Sequence, residues 1–207
     1  MRKLIVAEHL SLDGVIQSPG GRTEDPSGEF RLGGWEVPYS VDAVGQFVQE
    51  LHTPPFELLL GRKTYDIWAG YWPKIPANSG VPIADLFNAG PKHVATHRPD
   101  TLDWQNSHAL KGDLVDAVRA LKQQDGANLL TWGSADMVRQ LLAAGLVDEL
   151  SLMIYPVVLG RGKRLFDDNS QPSAFNLVHS TTTSSGVLLT RYELSGEVRT
   201  GSYEGVD

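Results

Sequence analysis

The chain has 207 residues, a formal net charge of −7 and no cysteine. That length fits one domain able to bury roughly 70% of the surface its unfolded chain exposes. The acidic balance argues against a general nucleic-acid or anionic-membrane binder, and the lack of cysteine removes disulfides, thiolate metal sites and a cysteine nucleophile.

Met1-Arg2-Lys3 ahead of residues 4–7 outlines a signal peptide only faintly. The apolar run is short and is interrupted by Glu8, His9 and Asp13. No stretch nears the roughly 18 apolar residues of a membrane span, so a cytoplasmic protein without a membrane partner is expected. Residues 3–12 read as a central strand. Ser11-Leu12-Asp13-Gly14 follows, and Asp13-Gly14 has two readings: a plain turn, or a carboxylate at the mouth of a cleft, where open α/β sheets bind ligands. Residues 17–39 are rich in glycine and proline. A loop of that length is usually functional or disordered, and Phe30 and Trp35 argue against disorder. A lid that folds over a ligand is the expectation.

Residues 41–51 predict a helix capped by Ser40, with Val44, Phe47, Val48 and Leu51 on its apolar face and Thr53-Pro54-Pro55 stopping it. Asp42 in its first turn either complements the dipole or serves as a pocket acid. Residues 57–60 form a short apolar strand before Gly61-Arg62-Lys63-Thr64, where a glycine again separates a buried strand from a helix start. This is not a Walker A loop, because the spaced glycines and the Gly-Lys-Ser/Thr ending are missing. A dinucleotide phosphate suits it better than a hydrolysable triphosphate. Residues 93–96 read as a third strand ending in Thr96-His97-Arg98. Arg98 either forks onto a phosphate or is a solvated surface arginine. His93 and His97 have a spacing that suits metal ligands on a helix, not a strand, and no metal is expected.

After an amphipathic helix over 112–123, residues 128–131 read as a buried strand leading to Trp132-Gly133-Ser134. Ser134 is a predicted N-cap, Met137, Val138, Leu141 and Leu142 share one helical face, and Gly145 is a left-handed stop. Free N–H groups of Gly133, Ser134 and Ala135 at a helix start offer an anion site; the alternative is a tight turn with no ligand. Leu150, Leu152 and Ile154 alternate along a strand that Pro156 ends. A basic glycine loop over 156–166, a hairpin from 175–180 and 187–193, and a polar tail over 195–207 complete the chain.

Strand ends repeatedly carrying glycine, small polar residues and arginine resemble the dihydrofolate reductase fold. More closely, the ordered set Ser11-Leu12-Asp13-Gly14, Gly61-Arg62-Lys63-Thr64-Tyr65, Thr96-His97-Arg98, Trp132-Gly133-Ser134 and Gly145-Leu146-Val147-Asp148-Glu149-Leu150 resembles the family of the RibD C-terminal reductase domain of bacterial riboflavin biosynthesis. The resemblance implies an α/β, three-layer fold with a mostly parallel central sheet and a C-terminal antiparallel hairpin. It would be one domain over 1–194 with a lid at 17–39 and a polar extension over 195–207. It also implies an NADPH-dependent reductase that passes hydride to a pterin-like or aminopyrimidine-like small molecule, and a homodimer.

Carried onto matching positions, Gly61, Arg62, Lys63 and Thr64 would hold the cofactor's phosphates, and Thr96 and Arg98 the 2′-phosphate. Trp132, Gly133, Ser134 and Ala135 would line the pyrophosphate, Asp13 and Trp35 would face the substrate, and Asp13 with Asp42 second would handle the proton. The riboflavin reductases usually carry Glu-Gly-Gly where this chain has Trp132-Gly133-Ser134, so an indole stands where a carboxylate is expected. A non-catalytic dinucleotide-binding or regulatory protein of the same fold is the alternative, with a flavin- or antifolate-binding relative as a third.

Overall fold

The computed structural model describes residues 1–168 and 170–203. Their strands are β1 (Leu4–Ser11), β2 (Phe56–Gly61), β3 (Lys92–Ala95), β4 (Ser107–Ala109), β5 (Asn128–Trp132), β6 (Glu149–Tyr155), β7 (Ala174–Thr182) and β8 (Leu188–Gly196). They form one eight-stranded sheet in the order β4-β3-β2-β5-β1-β6-β8-β7. Strands β1 to β6 run parallel, and the hairpin of β7 and β8 adds the antiparallel edge through β6. This is the dihydrofolate reductase-like arrangement that the resemblance implies.

The helices are α1 (Asp42–Leu51), α2 (Arg62–Ala69), α3 (Pro82–Ala89), α4 (Leu114–Gln123) and α5 (Ala135–Ala143). Side chains of β1 alternate between two cores, as a parallel strand covered on both faces requires. Leu4, Val6 and Leu10 pack with Val118 of α4 and Met137, Val138, Leu141 and Leu142 of α5. Ala7 packs on the other face with Val44 and Phe47 of α1, Tyr65 of α2 and Phe87 of α3. Burying each of these larger side chains contributes about 1.5–3 kcal/mol before chain entropy is counted. Two polar residues break the apolar strand β1 near its C-terminal end. Glu8 is buried, and His9 is half-buried.

One predicted cap is corrected. Helix α1 begins one residue later than a Ser40 cap requires. Val41 is its N-cap without a side-chain bond, and Asp42 supplies the favourable charge in the first turn. Ser134 does stand at the N-cap of α5, but it makes no side-chain capping bond: its backbone is left-handed at φ 55°, and its hydroxyl is turned toward β2 and α2. Gly145 does end α5, with φ 66° and the paired bonds Leu146 N–H to Leu141 O and Gly145 N–H to Leu142 O, each 2.9 Å. The tail predicted over 195–207 begins inside β8, and its last four residues lie outside the described ones.

Candidate functional site

A cleft of about 1150 Å³ opens at the C-terminal ends of β1, β2, β3 and β5. Parallel strands deliver their loops and helix starts to one end of the sheet, which is why the glycine turns meet there. Gly61 closes β2 and Gly133 follows β5, and the two turns lock together. Gly61 N–H donates to Ser134 Oγ at 2.8 Å, and Ser134 N–H donates to Thr64 Oγ1 at 3.1 Å. A Cβ on Gly133 would stand 2.7 Å from Thr64 Oγ1 and would force a side chain into φ 57°. Glycine is therefore required by this close approach.

All ten residues predicted to hold a cofactor line this cleft: Gly61, Arg62, Lys63, Thr64, Thr96, Arg98, Trp132, Gly133, Ser134 and Ala135. Their N–H groups are less free than the sequence suggests. That of Ser134 is taken by Thr64, and that of Gly133 faces the Glu8 carboxyl. Arg62 is committed to the turn after β3, donating to Thr101 Oγ1 at 2.7 Å and Arg98 O at 3.0 Å while pairing with Asp66 at 2.8 Å. Arg98 is exposed, and its guanidinium meets Asp66 at 3.2 Å.

The three remaining predicted residues, Asp13, Asp42 and Trp35, are not among those lining this cleft. Asp13 clamps the basic loop: its carboxylate accepts from Ser11 Oγ at 2.8 Å, Leu159 N–H at 3.0 Å and Gly160 N–H at 2.8 Å, and it pairs with Arg164 at 3.3 Å. Burial pushes this carboxyl up, but those donors outweigh it and hold the pKa at about 2. A carboxylate so fully engaged is built to stay charged, not to carry a proton. Asp42 is exposed at the start of α1. Trp35 turns its ring into the core, edge-on to Tyr155, and its Nε1 donates to Gln17 O at 2.8 Å.

Residues 17–39 do form a wall of the cleft, through Gln17, Ser18, Pro19, Gly20, Glu24, Asp25 and Glu36. The segment is stapled down by buried Phe30 and Trp35 and by the Gln17 amide, which donates to Asp25 O and Ser27 O at 2.9 Å each. Asp25 bridges to Lys163 at 2.6 Å and Lys63 at 3.0 Å, and so ties the segment to both the basic loop and α2.

Sequence reasoning missed the acidic residues of the cleft. Glu8, Glu24 and Glu36 line it together with His9, whereas Arg62, Lys63, Arg98, Arg139, Lys163 and Arg164 supply its positive charge. Burial raises the Glu8 carboxyl well above its ordinary range, against the opposing pull of the Gly133 amide. Burial also raises Glu24, and the nearby Glu36 charge adds to that, while the Gly20 and Gly21 amides oppose it. The visible signal was the pair Glu8-His9, two polar residues in an otherwise apolar central strand. His93, the other histidine singled out, is engaged by Glu57 at 2.6 Å.

The ordered turns, the parallel sheet and this cleft agree with one further observation. The chain matches the RibD C-terminal domain model over residues 2–189. It belongs to that family. Among curated relatives it is 29% identical over 196 residues to the uncharacterized protein YyaP of Bacillus subtilis strain 168, covering 94% of this chain and 96% of the relative. Among solved structures it superposes on a putative riboflavin biosynthesis protein from Shewanella sp. PV-4 with a TM-score of 0.62 and 22% identity, covering 93% of this chain and 99% of the other. It also superposes on dihydrofolate reductase from Enterococcus faecalis, a structure complexed with NADP(H) and RAB-propyl, with a TM-score of 0.59 and 16% identity over 93% and 96% of the two chains. These likenesses establish the fold. No helix among the described residues is long and apolar enough to cross a membrane.

Proposed function

We propose that the protein is an NADPH-dependent reductase of a small heteroaromatic or imine-bearing molecule, pterin-like or aminopyrimidine-like. The observation that carries this reading is the polarity of the cleft: two helix starts and a basic rim on one part of its lining, and carboxyls with an imidazole on another. The volume suits a dinucleotide plus a small acceptor. The family membership supports the same reading.

In this reading Lys63 and Thr64 at the start of α2 and Ala135 at the start of α5 hold the dinucleotide's phosphates, where helix dipoles favour negative charge, and the locked turns at Gly61 and Ser134 position them. Thr96 and Arg98 meet the 2′-phosphate. When bound, NADPH supplies the hydride. The protein's own work is to orient the acceptor, to exclude water with the wall formed by 17–39 and to supply a proton. The homodimer implied by the family resemblance is part of the proposal.

The test is NADPH consumption at 340 nm with 7,8-dihydrofolate and with a ribosylaminopyrimidine as acceptors. Acceptor-dependent oxidation is expected with one of them. Tight NADPH binding with no oxidation would favour the alternative of a dinucleotide-binding or regulatory protein.

A further inference from the structure

At the acidic part of the cleft, side chains from separate elements converge on His9. Its Nδ1 pairs with Glu36 Oε2 from the 17–39 segment and lies 2.8 Å from the Tyr155 hydroxyl of β6. That hydroxyl donates to the same Glu36 oxygen at 3.2 Å. The imidazole also stacks on the Trp132 indole of β5, with centroids 5.3 Å apart and planes at 30°. The His9 and Glu36 side chains are 17% and 19% exposed, so the group is shielded from bulk water while still lining the cleft.

A carboxylate only accepts hydrogen bonds, so Glu36 keeps a hydrogen on His9 Nδ1. Burial pushes the Glu36 carboxyl up, but the His9 charge and the His9 and Tyr155 hydrogen bonds outweigh it and hold it below its ordinary range. Burial and the Glu36 charge push the Tyr155 phenol up, so it stays a donor. With Nδ1 committed, Nε2 is the nitrogen left for a ligand. No hydrogen bond to it occurs among the described residues. A histidine oriented by a carboxylate through one nitrogen is arranged to transfer a proton through the other.

We infer that His9 is the proton donor of the reduction, with Glu36 and Tyr155 as its positioning residues and an acceptor C=N bond as the group reduced. The inference rests on the reductase reading. NADPH, when bound, supplies the two electrons as a hydride to the carbon of that bond and leaves as NADP⁺. The π pair moves to the nitrogen, which takes the proton as the His9 Nε2–H bond breaks. The imidazolium becomes neutral imidazole, and water reprotonates it.

Titratable groups face His9 from several elements: Glu36 and Glu24 from the 17–39 segment, Tyr155 from β6 and His52 from α1. Removing the Glu36 carboxylate takes away the group that fixes the ring's orientation and keeps the hydrogen on Nδ1.

The test uses the full chain and three readouts: NADPH titration by calorimetry, NADPH oxidation with the two acceptors named above, and NMR of ¹⁵N-labelled histidine, which reads the ring tautomer. His9→Gln is expected to keep NADPH affinity within about twofold while turnover falls roughly 100-fold or more, the scale of a lost general acid. Glu36→Gln is expected to lose less turnover than His9→Gln, and to weaken the preference of the His9 ring for the Nδ1–H tautomer in the ¹⁵N spectrum. Unchanged turnover in His9→Gln, with NADPH still bound, would overturn this inference and leave the reductase standing. An unchanged His9 tautomer in Glu36→Gln would overturn the positioning role. A wild-type protein that binds no NADPH, or oxidises it with neither acceptor, would overturn both readings.

Discussion

Glu8→Gln is expected to gain stability over the wild type as pH rises from about 4.5 toward neutrality, by up to roughly 1.4 kcal/mol for each pH unit. Glu8 is 3% exposed, and burial raises its folded pKa well above the ordinary value of a glutamate. Between those two pKa values the folded chain holds a proton that the unfolded chain has released. Folding stability contributed by the group is therefore whole below the unfolded pKa and falls as pH rises toward the folded pKa. Glutamine has nearly the same shape, keeps a carbonyl toward the Gly133 amide and cannot ionise. Near pH 4 the two proteins should have similar stability; at pH 7 the variant should unfold at higher urea concentration. Parallel stability-against-pH curves would mean that Glu8 titrates alike in both states. A buried carboxyl whose Oε1 has no hydrogen-bond partner among the described residues, retained beside a cleft, marks a functional region more readily than a structural one.

Arg98→Ala is expected to weaken NADPH binding tenfold to a hundredfold and to leave NADH binding nearly unchanged. The estimate follows from one charge-assisted hydrogen bond, about 1.5–3 kcal/mol. Arg98 is the diagnostic arginine, because Arg62 cannot be removed cleanly: it also holds Thr101 and the Arg98 carbonyl, so its loss would disturb the turn itself. The Arg98 side chain is 61% exposed, and its surface pair with Asp66 is worth too little to hold it back from a phosphate. Calorimetry with both cofactors checks this. Equal losses for NADPH and NADH would remove Arg98 from the 2′-phosphate role.

Much of the fold was legible because its signals are local. The apolar runs of β1, β2 and β5, the stripe of Met137, Val138, Leu141 and Leu142 on α5, and the Gly145 stop are each written within a few residues. Strand β4, Ser107–Ala109, was not predicted, because three residues at a sheet edge carry no alternation to read. Helix α3 was also missed, although Pro82 at its start and the i, i+4 pair Ile83 and Phe87 were available signals.

The candidate site divides in the same way. Its glycine turns lie in the chain beside the strands that deliver them, and they were found. Asp13 was harder to place, because a strand-end carboxylate looks the same in sequence whether it faces a cleft or clamps a loop 146 residues away, as it does at Leu159. The same holds for Trp35, since an aromatic residue in a long loop packs inward as readily as it stacks on a ligand. Glu36 and His9 were invisible as a pair, since only the folded 17–39 segment brings them together. The indole at Trp132, which stands where a carboxylate was expected, stacks on that histidine.

The most direct test of the central claim is a calorimetric titration of the cofactor-free protein with NADPH and, separately, with NADH. Micromolar binding with a clear preference for NADPH is the expected result. Binding of neither would contradict the reductase reading while leaving the fold and the family membership intact.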